Sequence, residues 1–146
     1  MVCCLFGHGN APDSIRQNLK NEIVKIFEAN PEAMFYFGKH GHFDAMARSI
    51  MKELKKEGMN VRYAVVLSRM PRERGEFDDP REYEDTMFPE GLEEVHPKFG
   101  ITWVNNWMVK QANTVICYIT HDFGGAAQFV GKARRKGCRI INLADM

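Results

Sequence analysis

The sequence has no apolar run near the roughly 18 residues that a membrane-spanning helix needs, so none is expected. It also lacks charge of one sign. Twenty Lys and Arg stand against 19 Asp and Glu, a formal net charge of +1. No global field gathers nucleic acid, and a nucleic-acid role would need a local patch. The opening stretch "MVCCLFGHG" has neither a basic start nor a long apolar segment, so it does not read as a signal peptide, and a cytoplasmic protein is expected. The four cysteines Cys3, Cys4, Cys117 and Cys138 form no CxxC pair. Cys3 and Cys4 should point to opposite faces of one strand, which predicts buried free thiols. No internal repeat and no low-complexity segment is present.

What is there suits one domain over residues 1–146, with a hydrophobic fraction of 45% to fill a single core. Short apolar runs alternate with amphipathic stretches. The runs Val2 to Phe6, Ala33 to Phe37, Val61 to Leu67, Thr114 to Ile119 and Arg139 to Asn142 predict strands, and Met87–Phe88 a possible short edge strand. Between them, Ile15, Leu19, Ile23, Ile26 and Phe27 recur at helical spacing behind a capping box at Ser14 to Gln17. A second helix carries Phe43, Ala47, Ile50, Met51 and Leu54 and stops before Gly58. A third spans about Ile101 to Gln111, and a fourth Ala126 to Lys136, ended by Gly137. Residues 69 to 85, with Arg69, Arg72, Arg74 and Arg81, form a long polar connection, either functional or simply solvated. Strands apolar throughout imply a mostly parallel sheet covered on both faces. The expected fold is α/β, a Rossmann-like three-layer sandwich with central strand order 3-2-1-5-6.

All strand-to-helix loops of such a sheet emerge at its carboxyl edge, where open α/β folds bind ligands. Three loops there are unusual: "GHGNAP", "GKHGHFD" and "THDFGGA". They hold four of the five histidines, His8, His40, His42 and His121. Gly38 and Gly41, and then Gly124 and Gly125, precede helices whose free N–H groups favour an anion. Neither loop fits GxGxxG or the Walker pattern, so neither identifies a dinucleotide or ATP. A metal held by these histidines, with Asp44 or Asp122 as an oxygen ligand, is the lesser reading. Two histidines two apart on a loop often face different ways, and neither a metal nor a cofactor is expected. Asp44 reads equally as a carboxylate complementing a helix dipole and as a partner for a sugar hydroxyl. Trp103 and Trp107 could stack a base, although Trp107 sits at core spacing. The basic run Lys132, Arg134, Arg135, Lys136 reads as a solvated face that complements its helix dipole.

Taken together, "GH" at Gly7–His8, "NNWMV" at Asn105–Val109 and "THDFGGA" at Thr120–Ala126 resemble the SLOG superfamily, nearest its YpsA-like branch. The likeness runs from Cys3 to Leu143. It implies a Rossmann-like pocket for nucleotide-like ligands. The superfamily includes phosphoribohydrolases of the "Lonely guy" type, DprA-like DNA binders and sensors of nucleotide-derived signals. The phosphoribohydrolases carry a PGGxGTxxE loop. Gly124 and Gly125 match its paired glycines, but Phe123 replaces the proline, Gln128 the threonine and Gly131 the glutamate. Asn105 stands where those enzymes use an arginine. The binding role therefore carries over better than the hydrolytic one.

The expected ligand-binding set is Gly7, His8, Gly38, Lys39, Gly41, His42 and Asp44, with Asn106 on the third helix and Thr120, His121, Gly124, Gly125 and Ala126 on the last loop. The expected function is binding of a nucleotide or nucleotide-derived small molecule. The alternative is an N-glycosidic phosphoribohydrolase or glycosyl-transfer enzyme, with Asp44, His8 or His121 as its acid or base. A homodimer is expected from the pairing of relatives through helices and from apolar Phe27, Met34 and Trp103.

Overall fold

A computed structural model of the chain describes residues 1–69 and 83–146. Of the polar connection expected over 69–85, residues 70–82 lie outside the described residues, Arg72, Arg74 and Arg81 with them. Among the described residues six strands form one sheet: β1 Val2–Gly7, β2 Met34–Phe37, β3 Arg62–Val66, β4 Thr86–Met87, β5 Thr114–Tyr118 and β6 Arg139–Asn142. Every pairing is parallel and the order is β4-β3-β2-β1-β5-β6. The helices are α1 Arg16–Ala29, α2 Gly41–Lys56, α3 Gly100–Gln111 and α4 Gly125–Lys136. The result is the Rossmann-like three-layer sandwich that the apolar runs predict.

Alternation along β1 divides the core in two. Cys3 and Leu5 face the layer of α1 and α2, beside Leu19, Ile23, Ile50 and Leu54. Cys4 and Phe6 face α3 and α4, beside Val104, Met108, Phe129 and Ala133. All four thiols are free. Burial pushes the thiols of Cys3 and Cys117 up to about 12, so neither is nucleophilic at neutral pH.

The capping box at Ser14 does not form. Asp13–Ile15 is a separate 3-10 turn, α1 begins at Arg16, and no side chain caps it. The reason is local: Pro12 starts the turn and accepts from the Ile15 N–H, which draws Ser14 inside it. Elsewhere polar side chains do tie elements together. Arg48 of α2 grips Asp85 with two bonds, Nε to Oδ2 at 3.0 Å and Nη2 to Oδ1 at 2.6 Å, and the Tyr63 hydroxyl donates to the same carboxylate at 2.8 Å. Burial opposes the charge on Asp85, but these donors hold its pKa below the usual carboxylate range. That grip fixes the short edge strand β4.

The end of α3 is closed from outside the helix. Lys136 Nζ donates to the carbonyls of Val109, Lys110 and Ala112 at 3.0, 2.6 and 2.9 Å, satisfying groups a helix end leaves unpaired. Lys136→Met keeps the aliphatic stem and removes the donor. It should lower stability by about 1–2 kcal/mol in urea unfolding, and an unchanged midpoint would contradict this role.

Candidate functional site

The chain runs from β1 to β2 in one direction and from β5 to β6 in the other, so the topological switch lies between β1 and β5. A cavity of about 190 Å³ opens beside it, at the carboxyl edge of the sheet. Leu5, Phe6 and Gly7 of β1 form its floor, with Val66 and Ser68 at the end of β3. Gly38, His40 and Asp44 form one wall, and Ile101, Val104, Asn105 and Met108 of α3 the other. Gly125 and Ala126, at the start of α4, close it.

The glycines around the cavity do two kinds of work. Gly41 opens α2 at φ +87°, and a Cβ there would sit 2.7 Å from the Cα of Gly9. A Cβ on Gly7 would fall 2.3 Å from the Phe43 ring. The His42 N–H donates to the Gly9 carbonyl at 2.9 Å, and the His40 N–H to Asp44 Oδ2 at 3.0 Å. The "GKHGH" glycines thus serve close packing, and two of its amides already have protein partners. The last loop differs. Gly124 precedes α4 at φ +92°, and among the described residues no side chain caps the helix and nothing lies within 4 Å of a Cβ on Gly124 or Gly125. The open anion-facing end is that of α4.

The histidines divide into a stacked pair, His8 and His121, and two with other partners, His40 and His42. His8 is buried, and its Nε2 accepts from the Thr120 N–H at 3.1 Å, which requires the neutral ring with its proton on Nδ1. Burial and the neighbouring His121 lower its pKa, in agreement. His8, His121 and Phe123 stack in sequence at 3.8 and 3.9 Å between centroids, and His121 Nδ1 donates to the Phe123 carbonyl. His40 bonds Ser68 Oγ at 3.0 Å, and His42 bonds Asp13. Among the described residues no group of three or more His, Cys, Asp or Glu could hold a metal.

Of the expected binding residues, Gly7, Gly38, Asp44, Gly125 and Ala126 line the cavity. Lys39 and Gly41 line an adjoining 420 Å³ groove with Arg48 and Lys52, which shares Gly38 and Asp44 with the cavity. Thr120 and His121 face a third hollow on the far side of α4. Asn106 accepts from Lys132 at 2.9 Å, and its neighbour Asn105 reaches the cavity instead. Trp107 packs in the core edge-on to Tyr36, as its spacing implies. Ser68 and His40 were not among the expected contacts. Ser68 has no motif around it. It reaches the site because Gly100 lets α3 approach so closely that a Cβ there would fall 2.2 Å from the Ser68 carbonyl.

The electrostatic centre is Asp44. Burial raises its carboxyl to about 7, against the opposing bond from the His40 N–H. His40 itself is lowered by burial, with Arg69 and Lys39 adding to the shift. A carboxyl raised in the fold stabilises it fully below the unfolded value near 3.8, and that contribution fades as pH climbs through about 7. Asp44→Asn keeps an acceptor for the His40 N–H and removes the titration. The variant should melt a few degrees above the parent at pH 8, with the gap narrowing at pH 5. An identical gap at both pH values would show that Asp44 does not titrate in this range.

No protein-family model and no curated protein matches the chain.

Proposed function

We propose that the chain binds a nucleotide or nucleotide-derived small ligand in the cleft at the carboxyl ends of β1, β2 and β3, as a cytoplasmic sensor or regulatory protein. One observation carries this reading: α4 begins, with no side-chain cap among the described residues, at Gly125 and Ala126 on the wall of a cavity that Asp44 and Asn105 also line. An anionic group meets the free amides of α4, and hydroxyls meet Asp44 and Asn105. The cavity of about 190 Å³ is smaller than the roughly 300 Å³ at which ligand pockets usually begin. The remainder of such a ligand lies outside it, towards exposed Ile101.

Asp44 supports a second reading. A carboxyl near 7 inside the cavity is suited to giving or taking a proton at an N-glycosidic bond. A nucleotide panel separates the two. A rise in melting temperature with intact nucleotide supports the binder, and released base supports the enzyme. Gly125→Val adds bulk where a side chain meets open space. It should cost at least about tenfold in affinity with little change in melting. Gly41→Val is no such probe, because it collides with Gly9 and should unfold the turn. Full affinity in Gly125→Val would refute this site.

We also infer self-association. Phe27 and Trp103 are spent largely on the cores, whereas Phe99, Ile101 and Phe123 stay exposed. Light scattering should give twice 16.8 kDa at micromolar concentration, and a single-chain mass would exclude the dimer.

A further inference from the structure

A second hollow lies on the other side of α4, between that helix and the loop that follows β5. It holds about 590 Å³, within the usual range of ligand pockets, and shares no lining residue with the first cavity. Its cations are Arg134 and Arg135. Both are exposed, and neither side chain makes a hydrogen bond or ion pair among the described residues. Their neighbours on α4 are already committed: Lys132 to Asn106, and Lys136 to the carbonyls at the end of α3. Complementing the helix dipole explains positive charge in this turn, but not the hollow.

Gly131 accounts for part of it. A glycine inside a helix costs about 0.5–1 kcal/mol relative to alanine, and here φ is ordinary and, among the described residues, no neighbouring backbone presses on it. The nearest atom to a Cβ placed there is Arg135 Nη1 at 3.5 Å. The missing side chain lowers the floor beneath the guanidinium. Thr120 and Gln128 add side-chain groups with no bond among the described residues, and Asp122 adds one carboxylate. Asn142 is no contact, since its amide closes on the backbone of Ile119 from both ends.

We propose that this hollow is a second ligand site, taking a phosphate ester of a hydroxyl-bearing small molecule. The arginine pair supplies planar, charge-assisted donors for the phosphate. Asp122, Thr120 and Gln128 suit the hydroxyls. The two sites then sit back to back across the first turns of α4, and each can be emptied without the other.

Titration calorimetry with ribose 5-phosphate and with inorganic pyrophosphate tests the assignment on the full chain. The parent should bind ribose 5-phosphate more tightly than pyrophosphate. The Arg134→Gln/Arg135→Gln double variant should lose at least about tenfold, and Gly131→Leu, which fills the floor while favouring the helix, should do the same. In Gly125→Val, which obstructs the first cavity, the arginine-dependent part of this binding should remain. No binding by the parent at millimolar concentration, equal affinity in the folded double variant, or a response to long RNA alone would each overturn the proposal.

Discussion

The first turn of α2 rests directly on the backbone of the loop after β1, and the rest of the cleft depends on that contact. Two glycines permit it. Gly7 leaves room for the Phe43 ring, and Gly41 lies against Gly9 where no Cβ fits. The His42 N–H to Gly9 carbonyl bond locks the seam. Phe43 is fully buried beneath it, so moving the seam would disturb the core of α1 and α2. With the turn fixed, Asp44 is held against Gly38 and the His40 amide, facing the cavity.

Rigidity on this side contrasts with openness on the other. The loop after β5 is braced by the His8, His121 and Phe123 stack and by the Thr120 amide on His8. Beyond that brace come Gly124 and Gly125, where an added Cβ would meet nothing within 4 Å among the described residues. One wall of the cavity therefore offers a fixed carboxyl, and the opposite side the N-terminal end of α4. A cleft with that polarity would suit the anionic, hydroxyl-bearing ligand we propose, because the dipole end of α4 favours an anion and Asp44 can accept from a hydroxyl.

Much of the fold is legible in the residues. The runs around β1, β3 and β5 are apolar on both faces, and only a covered parallel sheet hides both. The glycines before α4 are legible too, because a helix that starts without a cap leaves its amides bare. The "GKHGH" turn is harder. Its glycines look like a ligand cradle until Gly9, some thirty residues earlier in the chain, is seen against Gly41. The histidines mislead for a similar reason: their partners, Asp13, Ser68 and the Thr120 amide, come from three different elements. Ser14 fails as a cap because the Pro12 turn takes it first. The Arg48, Tyr63 and Asp85 network has no local pattern at all. It joins residues up to 37 positions apart in the chain.

The central claim is that a nucleotide-like anion sits at the start of α4 and is not held by the "GKHGH" turn. Backbone amide spectra recorded through a titration with the tightest-binding nucleotide test it directly. The largest shifts should fall on Gly125, Ala126 and Asn105, with smaller ones at Gly38 and Asp44. Shifts confined to Lys39, Gly41 and His42, with Gly125 and Ala126 unmoved, would contradict it.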